Sequence, residues 1–434
     1  MTERSTAVAE PRAVSRAVPR DDLAALDAAD PLRAHRDRFV LPESVIYLDG
    51  NSLGALPKTT AERVRHTIEQ EWGHDLIRSW NSVGWIDLPA VLGDKIGRLI
   101  GGLPGETVVA DSTSINLFKV LSAALALSPG RRRIVSQRDN FPTDLYMAQG
   151  LVRLLGGDYE LTLLDIDPSA EAIESALGTS GDVAVLMLTH VNYRTGRVHD
   201  MARLTAAAHR AGALAIWDLA HTAGAMPVDL NAAGADFAVG CGYKYLNGGP
   251  GAPAFLWVAP RHQEAFAQPL SGWLGHAAPF DFDPAYRPAP GIARYLCGTP
   301  PVLSMIALDC GLDTVLAADP GALREKSMRL GDLFIERVEA RAREGSGLEL
   351  ASPRNAHERG SQVSFHHPQG YAVMQAMIAR GVIGDFRAPD ILRFGFAPLY
   401  LRFVDIGDAA ETLGELLATG AWDRPEYHRR AAVT

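Results

Sequence analysis

The chain has 434 residues, 47% apolar and 21% charged, which suits a soluble globular protein large enough for more than one domain. Its net charge of −9 offers no basic surface to follow a phosphate backbone, so nucleic acid is not an expected partner. Three cysteines, Cys241, Cys297 and Cys310, show neither CxxC nor metal-type spacing. That argues against a disulfide or zinc framework and for a reducing, cytoplasmic setting.

The first 20 residues mix Arg, Ala, Ser, Pro and Glu without an apolar core. They read as a disordered tail rather than a secretory leader, and Glu3 and Glu10 weigh against a transit peptide. No apolar run reaches the length of a membrane span. From about residue 105 short apolar runs alternate with helical patterns. A helix starts near Ser114 and continues through Leu117, Val120, Leu121 and Leu125. Residues 133–136, 183–188, 213–217 and 236–240 read as strands, and their nearly unbroken apolar character suits strands covered on both faces. Another helix runs from about Asp200 to Arg210, with Gly212 placed to stop it. This alternation predicts an α/β fold with a mostly parallel sheet and helices on both sides. Residues 279–291, rich in Pro and aromatics, read as an irregular loop. A long helical stretch over about 302–343 then leads to strand 362–365, a helix over 370–380 and strand 391–394. That order suggests a second, smaller α+β domain after residue 305.

The densest chemical signal is Trp217-Asp218-Leu219-Ala220-His221, followed by Cys241-Gly242-Tyr243-Lys244. Each segment ends an apolar strand, and open parallel sheets bind ligands beyond the carboxyl ends of their strands. Lys244 sits between a strand and the loop Asn247-Gly248-Gly249-Pro250-Gly251, which permits close backbone approach. A lysine held there can be desolvated, lose its proton and form a Schiff base. Asp218 suits a carboxylate that keeps a pyridine nitrogen protonated, although taken alone it is as readily a helix cap. Those two roles together describe a site for pyridoxal 5′-phosphate. His221 could orient the carboxylate or cover the ring; a satisfied core histidine is the plainer alternative. Asp111-Ser112-Thr113-Ser114 opens a helix and offers N–H groups and hydroxyls to a phosphate, though an ordinary N-cap reads the same way. In Asn140-Phe141-Pro142-Thr143-Asp144, Phe141 could stack on a flat ring and Asp144 could bond to a ring substituent; a simple turn on Pro142 is the alternative.

These residues resemble kynureninase, a family of fold type I, class V aminotransferase-like pyridoxal-phosphate enzymes. The resemblance runs from about residue 45 to 405. It is carried by Leu48-Asp49-Gly50-Asn51-Ser52-Leu53-Gly54, Phe141-Pro142-Thr143-Asp144, the Asp218 and Lys244 segments, Gly272-Trp273-Leu274-Gly275-His276, Cys297-Gly298-Thr299-Pro300-Pro301 and Gly384-Asp385-Phe386-Arg387-Ala388-Pro389-Asp390. The resemblance implies a PLP-dependent transferase fold with a seven-stranded large domain over 57–304. It also implies a small domain over 305–434 and an N-terminal segment, 21–56, packed with the small one. Lys244 would hold the cofactor, Asp218 its ring nitrogen with His221 alongside, and Phe141 and Asp144 the ring. Thr113, Ser114, Tyr243 and Thr299 would contact the phosphate. Trp273 and Thr299 would come from the other subunit of a homodimer with shared sites. Arg393 would bind the substrate carboxylate bidentately, ahead of Arg387 and Arg402, whose plainer reading is a surface salt bridge. Asn51, Ser52 and Trp80 would complete the substrate site.

The implied reaction is hydrolysis of the Cβ–Cγ bond of L-kynurenine, or of 3-hydroxykynurenine, to the anthranilate and L-alanine. Lys244, Tyr243 and Asp218 would be the catalytic residues, with Tyr243 acting as acid and base at the carbonyl and β-carbon. No metal is implied. A cysteine desulfurase or selenocysteine lyase needs a nucleophilic cysteine well downstream of the lysine, and residues 311–434 contain none. An aminotransferase shares the early steps and stays open. No GxGxxG follows the first strand, which lowers a hydride-transferring reading.

Overall fold

A computed structural model describes residues 20–178, 181–266, 268–342 and 345–430. The expected tail lies outside the described residues except for Arg20, which opens the helix Arg20–Ala29. A seven-stranded sheet is built from β1 (Thr107–Val109), β2 (Arg133–Gln137), β3 (Glu160–Leu164), β4 (Val183–Thr189), β5 (Leu214–Asp218), β6 (Phe237–Gly240) and β7 (Phe255–Val258). Their spatial order is β1-β7-β6-β5-β4-β2-β3. β7 runs against both neighbours, β6 and β1; the pairs from β6 outward to β3 are parallel. The chain therefore leaves β6 at the carboxyl edge, makes its lysine-bearing turn there, and comes back along β7.

Burial on both faces explains the unbroken apolar runs. All seven residues of β4 are buried. One face packs against Leu117, Val120 and Leu121 of the helix Thr113–Ala126 and Leu145 and Leu151 of the helix Pro142–Leu155. The other packs against Leu204 of the helix Met201–Arg210 and Leu92 and Ile96 of the helix Leu88–Ile100.

A second sheet follows, with β8 (Glu349–Leu350), β9 (Gln362–His366), β10 (Asp385–Arg387) and β11 (Ile391–Gly395) in the order β8-β9-β11-β10, all antiparallel. Its core gathers Phe334, Phe365, Phe394 and Phe396, and Leu23, Phe39 and Leu48 from the N-terminal segment join the same cluster. Ile46–Tyr47 pairs in parallel with Val382–Ile383, which brings residues 49–54 up to the large sheet.

The helical stretch expected over 302–343 is two helices, Val302–Leu316 and Pro320–Arg341, with residue 343 outside the described residues. Pro320 has no N–H to continue the first helix and is well placed at the first turn of the second. Asp319 caps that turn, accepting from the Ala322 N–H at 2.7 Å. Met305, Leu308 and Leu312 sit in the large sheet's cluster and Val315 in the small domain's, so the change of core falls inside the first of these helices. Among the described residues no helix is long and apolar enough to cross a membrane.

Candidate active site

The carboxyl edge of β5 and β6 places the two central groups. β5 ends in Asp218, held in the sheet by buried Trp217, whose indole N–H donates to Thr205 Oγ1 at 3.0 Å. The Asp218 carboxylate accepts from the Ala220 N–H through Oδ1 at 2.8 Å, which fixes its direction. After β6 the backbone turns with Asn247 at φ +57° and Gly249 at φ +80°, the left-handed conformations expected of that loop. Gly54 packs on this turn, its N–H donating to Tyr243 O at 2.8 Å. A Cβ on Gly54 would stand 2.4 Å from the Lys244 carbonyl oxygen, so the contact requires glycine.

Lys244, Tyr243, Asp218 and His221 line one cavity of about 190 Å³. Thr113, Ser114, Phe141 and Asp144 line the same cavity from the helices that follow β1 and β2. Lys244 Nζ lies 2.9 Å from His221 Nε2, and His221 Nδ1 lies 3.1 Å from Gln362 Oε1. With Nδ1–H donating to the glutamine oxygen, Nε2 is left to accept from the lysine. The lysine nitrogen also stands 5.7 Å from the Phe141 ring centre and 5.8 Å from that of Tyr243.

Burial dominates the electrostatics. It pushes the Lys244 ammonium down, toward the neutral amine a nucleophile needs. It pushes His221 well down, helped by the Lys244 charge. Burial also raises Asp218 against the opposing pull of Lys244, and raises Asp144 well above the usual carboxylate range, with the Asp218 charge adding to it. Tyr243 is raised by burial and stays a phenol, able to donate a proton.

The residues fit a pyridoxal-phosphate group. The buried Asp144 carboxyl has Asp218 as its side-chain neighbour in the cavity and faces the space a ring would occupy. Ser112 caps the helix Thr113–Ala126 by accepting from the Ile115 N–H. The Thr113 and Ser114 N–H groups find no acceptor among the described residues, which leaves a cradle for an anion. No group of His, Cys, Asp and Glu among the described residues is arranged to hold a metal ion.

Arg393 is 1% exposed and lies beside this cavity on β11. Its Nε donates to Asp385 Oδ1 at 2.8 Å, and its terminal nitrogens reach Asp385 Oδ2, Ser52 Oγ (2.8 Å) and the Tyr193 carbonyl (2.7 Å). Four of the five guanidinium N–H groups are thereby engaged. A bidentate grip on a second carboxylate needs Ser52 or the Tyr193 carbonyl to yield. Asn51 is buried, and its amide satisfies both ends when its oxygen accepts from Arg393 Nε at 3.0 Å and its nitrogen donates to Asp49 Oδ1 at 3.2 Å. Arg387 shares Asp385 at 2.7 Å, whereas Arg402 pairs with Asp405 at 2.6 Å, at the start of the helix Phe403–Thr419.

Trp273, Thr299 and Trp80 do not line the cavity. Trp273 is 41% exposed, with its ring edge on Phe280, and Thr299 is exposed. Trp80 packs edge-on against Trp85. Ser112 and Thr143, from the two segments singled out in the sequence, also line it, as do Thr189 and Tyr193, which the sequence reading passed over. Tyr193 follows the end of β4, so the carboxyl-edge rule was the available signal. Gln362 and Asp385 come from the small domain; Asp385 lies in a segment that carries the resemblance, but the sequence reading gave neither residue a role.

A sequence-family model described as the kynureninase C-terminal domain matches residues 323–413. A curated kynureninase from Burkholderia pseudomallei (strain 1106a) is 58% identical over 96% of this chain and 99% of its own length. One from Pseudomonas fluorescens is 55% identical over the same shares. Among solved structures, an apo cysteine desulfurase from Thermococcus onnurineus NA1 superposes with a TM-score of 0.74 over 89% of this chain and 98% of its own, at 20% identity. That last likeness is one of fold.

Proposed function

This chain belongs to the kynureninase family, and on that premise we propose how its residues carry the family's reaction. The protein is a pyridoxal-phosphate-dependent hydrolase that cleaves the Cβ–Cγ bond of L-kynurenine, yielding anthranilate and L-alanine. When bound, the cofactor supplies an aldehyde for the substrate amine and an electron sink for charge developing at Cα and Cβ.

Lys244 holds the cofactor through its amine and, once released, moves the proton at the substrate Cα. Asp218 keeps the pyridine nitrogen protonated, with His221 beside it. Phe141 stacks on the ring and Asp144 bonds to its polar edge. Thr113, Ser114 and Tyr243 hold the phosphate. Arg393 orients the substrate carboxylate, supported by Asn51 and Ser52; the place of Trp80 at the aromatic end of the substrate site rests on the resemblance alone, since it packs against Trp85 outside this cavity. Water adds to the Cγ carbonyl, and Tyr243 serves as acid and base there and at Cβ. The observation that carries the proposal is the meeting of buried Lys244 and buried Asp218 in one cavity, with the N–H groups of Thr113 and Ser114 at its rim.

We further propose a cytoplasmic homodimer in which the partner's Trp273 and Thr299 complete each site. Support comes from the exposure of both residues away from their own chain's cavity, and from three free cysteines. The division we propose is a cofactor-holding unit over 57–304 and a small unit over 305–434 with 21–56 against it. Separate apolar clusters support it, and the shared helix Val302–Leu316 blurs its edge.

The test is to incubate purified protein with pyridoxal phosphate and L-kynurenine and follow anthranilate fluorescence. Lys244→Ala should form none. Asp218→Asn should retain cofactor yet lose turnover on the order of 10²–10⁴-fold, the scale of about 3–5 kcal/mol for breaking a buried charge pair. Anthranilate formation by Lys244→Ala at the parent rate would overturn the assignment.

A further inference from the structure

Lys119 is 0% exposed, seven residues into the helix that the phosphate cradle opens from. Its Nζ lies 2.5 Å from Asp111 Oδ2 and 2.6 Å from the Tyr295 carbonyl. A lysine buried this completely is rare without a specific partner. Asp111 has a backbone reason to be where it is. Its φ is +47°, a left-handed conformation that Asp and Asn tolerate better than most side chains. Neighbouring hydrogen bonds hold that turn, from the Ala254 N–H to Asp111 O (2.9 Å) and from Asn116 Nδ2 to Ala110 O (2.8 Å). The turn brings the chain into Ser112-Thr113-Ser114, where Thr113 and Ser114 present their free N–H groups.

The same turn has an electrostatic cost. It sets a carboxylate, its side chain 31% exposed, two residues before a cradle meant for a phosphate, and like charges so placed repel even where water partly screens them. We propose that Lys119 is a positioning residue that cancels the Asp111 charge, so that a left-handed turn built on an aspartate can coexist with an anion site. The inference rests on the reading that Thr113 and Ser114 hold the cofactor phosphate. The Tyr295 carbonyl fixes the ammonium from its other side, so the pair keeps one geometry.

The test is equilibrium binding of pyridoxal phosphate and of pyridoxal, which lacks the phosphate, to the full-length protein after its cofactor is stripped. Lys119→Met leaves the carboxylate uncompensated. It should weaken pyridoxal-phosphate binding about tenfold or more, with pyridoxal binding little changed. Asp111→Asn alone preserves the turn and should bind pyridoxal phosphate at least as tightly as the parent. The double variant, with both charges gone, should recover most of the loss. Equal weakening toward both ligands, or no recovery in the double variant, would overturn the proposal and leave Lys119 a packing residue. If Lys119→Met does not fold, weaker binding by Asp111→Asn, or by the double variant, is the overturning result. A parent that holds pyridoxal as tightly as pyridoxal phosphate would instead remove the cradle reading, and this inference with it.

Discussion

Lys244 Nζ and His221 Nε2 lie 2.9 Å apart in a cavity that buries both residues. The imidazole is neutral, because burial and the lysine's own charge push it well down, so it accepts from the lysine rather than repelling it. Its other nitrogen is tied to Gln362, which reaches in from β9 and also donates to the Tyr193 carbonyl at 3.1 Å. One histidine therefore links the lysine to the small domain.

Replacing that histidine by phenylalanine keeps a ring but removes both bonds. A hydrogen bond to a charged group contributes roughly 1.5–3 kcal/mol, so cofactor affinity in His221→Phe should fall roughly ten- to a hundredfold. Equilibrium dialysis measures it, and unchanged affinity would show that the imidazole only fills space.

Tyr243 remains a phenol at working pH, since burial raises it further from ionisation. Tyr243→Phe should slow carbon–carbon cleavage by roughly 10²–10⁴, the usual contribution of a placed acid or base. Exchange of the substrate α-proton into heavy water should persist, because that step belongs to Lys244. A variant that cleaves at the parent rate would take Tyr243 out of the chemistry.

Arg393 is held by Asp385 and Ser52 before any substrate arrives. In Arg393→Lys a point charge replaces the planar fork, and KM for L-kynurenine should rise on the order of a hundredfold, with a smaller change in kcat. A fall in thermal stability with KM unchanged would mean that Arg393 only braces the two domains.

His199 gives a stability prediction with a definite sign. Burial lowers it to about 4, and its Nε2 lies 2.9 Å from Gln137 Oε1. Between its ordinary value of 6.5 and about 4, the unfolded chain binds a proton that the folded chain does not. The stability this histidine contributes is full above pH 6.5 and is lost as pH falls toward 4. Against His199→Gln, the parent should lose an additional ~1.4 kcal/mol per pH unit at most across that window in urea unfolding. Parallel pH profiles for the two proteins would contradict it.

How far the sequence could be read depended on whether a residue's role was local. Asp218 and Lys244 each sit where an apolar strand stops, so strand pattern and residue type together pointed to the carboxyl edge. β7 was not picked out: four residues after a Gly/Pro loop carry no period, and nothing local says that a strand runs backwards. The break at Pro320 was legible but was overridden by the helical pattern around it. The roles of Gln362 and Asp385 were not legible, although segment 384–390 was noticed, because the docking of the second sheet, not their neighbours in sequence, makes them part of the site.

The most direct test of the central claim is chemical. Holoenzyme reduced with borohydride, digested and sequenced by mass spectrometry should carry the pyridoxyl phosphate group on the peptide containing Lys244, at that lysine alone. Label on any other lysine, or none on a protein that still forms anthranilate, would contradict the account.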